Sequence, residues 1–157
     1  PFGAATCEVD LGVSALIPDD YVPDVHMRLV LYKRASEAPT EIALDELKVE
    51  MIDRFGLLPP QAERLIEAAR VRIAGEALGL SKVRAGARSA ILDFGPEPRI
   101  ETPRLIRLIQ GQPKVYKLEG QKKLHINAVL DPPEGRAAQM LNLLAALRPK
   151  VPAAAQT

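Results

Sequence analysis

Two amphipathic segments joined by a sharp break, residues 41–79, constrain the fold more than any other stretch of the chain. The first segment repeats apolar residues at spacings of three and four, which predicts a helix with one buried face; these residues are Leu44, Leu47, Met51 and Phe55. Gly56 follows directly and can adopt the left-handed conformation that ends a helix, so Leu57 is expected to fold back onto Ile52. We therefore predict a helix that stops at residue 56.

The second segment has the same periodicity and its own start signal. Pro59 or Pro60 suits the first turn of a helix, because a missing N–H there costs no hydrogen bond. The apolar residues again share one face; they are Ala62, Leu65, Ile66, Ala69 and Ile73. Gly79 is placed to end this helix. Because the connection is so short, we predict that the two helices pack as roughly antiparallel neighbours.

The residues before this helix pair predict an arm and one more helix. Residues 7–16 alternate loosely between apolar and polar, which is typical of a strand or an extended arm. A helix is then predicted from about Pro23 to Ser36, with Val25, Leu29 and Tyr32 as its apolar face.

After residue 79 the spacing of apolar residues changes from the helical period of 3.6 residues to the strand period of 2. We predict strands at 81–84 and 89–94, a helix opened by Thr102 as its cap, strands at 114–118 and 123–129, and a last helix after Pro133. The predicted fold is α+β: an N-terminal helical lobe of three helices, then a small, mainly antiparallel sheet, with the order strand-strand-helix occurring twice. We expect one domain over residues 1–150, divided into a helical lobe with its arm (1–80) and a second lobe (81–150), with a frayed tail at 151–157.

The composition of the chain limits the functional classes to which it can belong. The chain has 157 residues, 47% hydrophobic, and its 21 basic and 20 acidic residues give a net charge of +1. This balance offers no electrostatic reason to expect a dedicated nucleic-acid binder. No apolar run approaches the roughly 20 residues that span a membrane, so we expect no membrane contact. The chain opens on Pro1 rather than Met, which indicates a piece of a longer protein.

Motifs that carry catalysis are not evident in the sequence. It has no phosphate-binding loop and no glycine fingerprint for dinucleotides. His26 and His125 lie far apart, and neither has a cysteine nearby, so a metal site of three or four ligands is not expected. The single cysteine, Cys7, has no flanking motif of a nucleophile and is expected to be a small buried hydrophobic residue. We therefore predict no catalytic residue, no cofactor and no metal.

One surface of the first helix of the pair has two open interpretations. Glu46, Glu50 and Asp53 follow each other at spacings of four and three, which places them in one stripe. Arg54 lies four residues after Glu50, and Val49 flanks the stripe on the side away from the core face. The pattern alone favours an ordinary solvated face. The alternative is a docking face, where an acidic row meets arginines of a partner and an apolar residue lies beside it.

Two sequence strings point to a known family. Residues 16–25, LIPDDYVPDV, and residues 46–59, ELKVEMIDRFGLLP, resemble the C-terminal (TRCF) domain of the bacterial transcription-repair coupling factor. The resemblance covers roughly residues 8–147 and is most specific from 16 to 59.

The resemblance implies a regulatory domain with no catalysis of its own. The parent family is an ATP-driven DNA translocase of the bacterial cytoplasm that displaces stalled RNA polymerase and recruits UvrA. In that family this domain packs against the N-terminal UvrB-like module of the same chain and masks its UvrA-binding surface. UvrA and RNA polymerase are thus indirect partners.

For this sequence, the resemblance places Glu50 and Asp53 on the helix that makes the contact and so favours the docking interpretation. It indicates a protein interface of Glu46, Val49, Glu50, Asp53 and Arg54.

An auxiliary nucleic-acid-binding module remains the alternative, although we expect nucleic acid not to be a partner of this domain. The basic residues that would form such a module are Lys82, Arg84, Arg88, Arg104 and Arg107.

Overall fold

The computed structural model of the protein describes residues 6–149. Its helices and strands, in chain order, are β1 (Glu8–Asp10), α1 (Val25–Glu37), α2 (Glu41–Phe55), α3 (Pro60–Ala77), β2 (Leu80–Ala85), β3 (Ser89–Phe94), α4 (Thr102–Gly111), β4 (Tyr116–Glu119), β5 (Lys123–Asn127) and α5 (Arg136–Ala146), with a 3-10 turn at Pro133–Gly135. The predicted α+β fold is confirmed, including the twofold order strand-strand-helix. The tail predicted at 151–157 lies outside the described residues.

One sheet contains all five strands of the described chain, in the order β1-β2-β3-β5-β4. β1 pairs with β2 in parallel, and the other three pairs are antiparallel. Because side chains alternate along a strand, one face of the sheet carries the fully buried residues Val83, Leu92, Leu124 and Ile126. The opposite face carries Lys82, Arg84, Asp93, Lys123 and His125, which are only half-buried.

Helix α3 connects the helical part of the molecule to the sheet. Its first half buries Ala62 and Ile66 with α1 and α2. Its second half buries Val71 in the core that the sheet forms with α5. Gly75 lets α3 approach the sheet closely, because a Cβ at this position would lie 2.7 Å from the Cys7 sulfur. The α2–α3 pair predicted from the sequence is thus also the link between the two halves of the fold.

Three details of the prediction were wrong. Val25 and Leu29 were predicted to be buried, yet they are 59% and 61% exposed, and α1 instead buries Leu31 and Ala35. Helix α1 has two apolar stripes, and packing against distant parts of the chain buries the one that carries Leu31 and Ala35. Leu57 is 83% exposed and does not fold back onto the preceding helix.

The third difference concerns the start of α4. The N-cap of α4 is Glu101 rather than Thr102, which lies in the first turn beside Pro103. The segment predicted as a strand or an extended arm, residues 7–16, contains a three-residue strand, Glu8–Asp10, and no other helix or strand.

Candidate docking face

Helix α2 presents an outward stripe of four residues at spacings of four, three and four: Ile42, Glu46, Val49 and Asp53. We call this set the α2 stripe. Ile42 is 70% exposed and Val49 is 57% exposed, and both acids are exposed as well. The core residues Leu44, Leu47 and Met51 lie on the opposite side of the helix and are at most 2% exposed. The stripe therefore alternates apolar and acidic side chains in solvent.

Ion pairs within the protein involve other charged side chains of α2. Asp45 pairs with Arg70 of α3 at 2.5 Å, and Lys48 pairs with Glu63 of α3 at 3.2 Å. Glu46 and Asp53, in contrast, have no ion-pair partner anywhere in residues 6–149. These two carboxylates are thus available to a cation from outside the described chain.

Glu50 is in a different situation from the other two predicted acids. Its carboxylate accepts a hydrogen bond from Arg34 of α1 at 2.5 Å and lies 3.6 Å from the guanidinium of Arg54. The hydrogen bond from Arg34 is the main reason why the pKa of Glu50 is below its ordinary value. Glu50 and Arg54 thus form a neutralised flank of the α2 stripe, and a partner would have to compete with Arg34 for this carboxylate.

The C-terminal end of α2 is held in place by an aromatic cluster. The Tyr21 hydroxyl donates to the carbonyl oxygens of Gly56 at 2.7 Å and Met51 at 3.3 Å. The Tyr21 ring packs edge-on against Phe55 with centroids 5.8 Å apart, and the Arg54 guanidinium lies 5.0 Å from the Phe55 centroid. Burial raises the pKa of Tyr21 above its ordinary value, which by itself already keeps the hydroxyl protonated at neutral pH.

The two ends of α2 have local causes in the sequence. Thr40 accepts a hydrogen bond from the Ala43 amide at 3.1 Å, which caps the first turn. Gly56 has φ 93° and ψ −174°, a backbone region that is essentially restricted to glycine. Together with the Tyr21 cluster, these ends fix the length and direction of the helix, so the α2 stripe is a preorganised surface.

The sequence prediction missed two residues of this site. Ile42 lies one turn before Glu46, so its spacing could have added it to the stripe. Tyr21 could not be placed at Phe55 by local pattern, because 34 positions separate the two residues.

The basic residues considered for nucleic-acid binding do not form one patch. Lys82 lies 3.6 Å from Glu8, and Arg84 lies 3.3 Å from Asp93, so both are paired across the open face of the sheet. Arg104 and Arg107 belong to α4, which packs near β4 at the far edge of the sheet.

The remaining candidate residues have no geometry of a catalytic or metal site. Cys7 is 3% exposed, and burial raises the pKa of its thiol to about 12, which disfavours the reactive thiolate. Within residues 6–149, no three His, Cys, Asp or Glu side chains come together as a possible metal site. None of the helices described here is both long enough and apolar enough to cross a membrane.

Comparison with known proteins places the chain in a family. The TRCF domain family matches residues 11–105. The chain is 43% identical over 117 residues to the transcription-repair-coupling factor of Escherichia coli (strain K12), which is 74% of this chain and 10% of that protein. It is 38% identical over 137 residues to the factor of Haemophilus influenzae, covering 87% of this chain and 12% of that protein. It is 35% identical over 134 residues to the factor of Myxococcus xanthus, covering 85% of this chain and 11% of that protein.

A solved structure has the same fold. A crystal structure of the C-terminal domain of a transcription-repair coupling factor superposes with a TM-score of 0.74 at 19% sequence identity, covering 91% of this chain and 92% of that one. The chain spans only about a tenth of the length of the curated relatives it matches. With sequence and fold in agreement, the resemblance noted from residues 16–59 is confirmed: the chain belongs to the TRCF domain family of transcription-repair coupling factors.

Proposed function

We propose that this chain is the regulatory, non-catalytic C-terminal domain of a transcription-repair coupling factor. The parent would be an ATP-dependent DNA translocase of the bacterial cytoplasm that displaces RNA polymerase stalled at lesions and recruits UvrA. In this proposal the domain docks through the α2 stripe on the UvrB-like N-terminal module of its own parent chain. Docking masks the surface that binds UvrA, and the masked state is the resting state.

The observation that supports this proposal is the arrangement of Glu46 and Asp53. Two unpaired carboxylates alternate with exposed apolar side chains on a rigid helix, while the neighbouring acids Asp45 and Glu50 are neutralised within the chain. A partner surface with arginines spaced to reach two carboxylates about 10 Å apart along the helix, seven residues at 1.5 Å each, would be complementary. Ile42 and Val49 would supply apolar contact beside the charge pairs.

The same arrangement suits a contact that has to open. Charge pairs at the rim of an interface contribute little affinity each, because water and salt screen them. An interface within one chain does not need high intrinsic affinity, since the linker keeps the two surfaces at a high effective concentration. The α2 stripe would thus hold the parent closed while remaining easy to release.

The test compares UvrA binding by the intact parent and by its Glu46→Gln/Asp53→Asn variant, without RNA polymerase. These substitutions keep the side-chain shape and remove the charge, so the domain should melt at the same temperature. We expect the variant to bind UvrA several-fold more tightly, because its masking contact is weakened. The matched control is Glu97→Gln/Glu134→Gln, which removes two exposed carboxylates with no ion-pair partner in the described chain. Equal UvrA affinity for all three proteins would mean that the α2 stripe is an ordinary solvated face and not the docking surface.

Single substitutions rank the residues of the site. Glu50→Gln should have a smaller effect than Asp53→Asn, because Arg34 already engages the Glu50 carboxylate. Ile42→Ser with Val49→Ser should release the contact as well, whereas a purely electrostatic contact would not respond. Direct binding of this chain to the isolated UvrB-like module tests the domain assignment separately from the residue assignment.

A further inference from the structure

The chain has a strongly basic segment that the proposed docking function does not use. Residues 99–123 contain seven basic residues and two acidic ones, a net charge of +5, although the whole chain has a net charge of only +1. Helix α2, in contrast, has five acidic and two basic residues, a net charge of −3. The two charge clusters are on different elements: α2 packs against α1 and α3, while α4 packs near β4.

A groove lies on α4 within this basic segment. It has a volume of about 300 Å³ and is lined by Arg104, Arg107, Leu108 and Gln112. These positions follow each other at spacings of three, one and four, so they share one face of the helix and its C-terminal turn. Lys114 follows in the exposed turn after Gln112, whose carbonyl accepts the amides of Val115 and Tyr116.

The arginines of this groove differ from most others in the protein. Seven arginines outside it are engaged by carboxylates: Arg34, Arg54, Arg64, Arg70, Arg72, Arg84 and Arg136. Within residues 6–149, neither Arg104 nor Arg107 makes an ion pair or a side-chain hydrogen bond. Two adjacent guanidinium groups with no internal counter-charge repel each other modestly and gain from an anion placed between them.

We propose that this α4 groove binds phosphate groups of a duplex nucleic-acid backbone. Guanidinium groups recognise phosphate oxygens in a bidentate manner, and the Gln112 amide can donate a further hydrogen bond. The segment offers no platform for stacking unpaired bases, since Tyr116 is its only aromatic residue and is 5% exposed. Recognition is therefore of the backbone and independent of sequence. Only two or three phosphates are within reach of these side chains, so the contact is weak and depends on salt.

The experiment measures binding of the 157-residue chain to a fluorescent 20-base-pair DNA duplex, by anisotropy, over a range of salt concentrations. With three phosphate contacts, from Arg104, Arg107 and Lys114, the affinity should fall about 80-fold between about 20 and about 100 mM salt. The Arg104→Gln/Arg107→Gln variant should bind more weakly at low salt and lose only about 4-fold over the same range, because a single contact remains. Thermal melts verify that both proteins are folded.

A matched control distinguishes binding at the α4 groove from an effect of net charge alone. The Lys33→Gln/Arg148→Gln variant removes the same two charges from exposed positions without an ion pair in the described chain, and it should retain wild-type affinity and salt dependence. Equal weakening of both variants, or no binding by the wild type at low salt, overturns the proposal. Displacement of the duplex by polyglutamate at a matched concentration of charge would also overturn it, because the groove would then fit an acidic protein.

Discussion

The carboxylate of Glu50 lies between two guanidinium groups, and only one of them was visible in the local sequence. Arg54 follows at a spacing of four on the same helix, so its proximity could be predicted. Arg34, the closer partner, is 16 residues earlier on α1, and no periodicity indicates which face of α1 turns toward α2. The sequence therefore predicted three equivalent acids, whereas the fold neutralises Glu50 and leaves Glu46 and Asp53 unpaired.

The pair of Glu50 with Arg34 predicts a pH dependence of known sign. Because the pKa of Glu50 is lowered in the folded protein, the folded state binds the proton less tightly than the unfolded chain. The stabilisation is thus present above the ordinary glutamate pKa and is lost as the pH falls through the lowered value. Arg34→Gln should raise the pKa of Glu50, measured by NMR titration of its side-chain carboxyl carbon. Arg54→Gln should raise it less, since that guanidinium is 3.6 Å away. An unchanged pKa in Arg34→Gln would exclude the hydrogen bond in solution.

Among the elements, helices with strong local signals were predicted best. α2 has a threonine cap, α3 begins with a first-turn proline, and a glycine with positive φ follows the C-terminal end of each; their predicted spans were confirmed. α1 was predicted at the right place but with the wrong buried face, because its two apolar stripes are locally equivalent. The close approach of α3 to β1 could not be predicted, because it depends on a contact between Gly75 and Cys7 across 68 positions.

This contact predicts a coupled pair of substitutions. Gly75→Ala places a methyl group 2.7 Å from the Cys7 sulfur and 3.4 Å from Val83. Overpacking of this kind costs about 1 to 3 kcal/mol, against a gain of about 1 kcal/mol in helix propensity. In the Cys7→Ala background the sulfur is absent, so the same substitution should be less destabilising or even stabilising. Urea denaturation of the four proteins gives the coupling free energy, and additive effects would place α3 farther from β1 than described here.

At the scale of the whole molecule, Arg136 connects segments that are distant in the sequence. Its side chain is 5% exposed and donates to the carbonyl oxygens of Leu11 at 2.6 Å and Leu130 at 3.0 Å, and to the Asp131 carboxylate at 2.8 Å. The fold class could be read from the order of periodic segments. The position of β1 at the edge of the sheet could not, since contacts such as Arg136 with Leu11 span 125 residues.

The connection through Arg136 predicts a global loss of stability when it is removed. Arg136→Met keeps much of the side-chain volume but leaves two buried carbonyls without their donor, which should cost about 2 to 3 kcal/mol. Arg148→Met is the control, because Arg148 is exposed and makes no side-chain hydrogen bond within the described chain. Thermal or urea unfolding measures both variants. If Arg136→Met were as stable as the control, water would have to replace the guanidinium at these carbonyls.

The separation of charge between α2 and the segment 99–123 gives the domain a large electric dipole moment despite its small net charge. Five strands at about 4.8 Å spacing place roughly 19 Å between β1, which lies near the helical half, and β4, which lies near α4. In the field of a polyanion such a molecule is oriented before contact, so that its positive end, the segment 99–123, approaches first. The orientation of the domain during an encounter is therefore set by where its charges lie rather than by their sum.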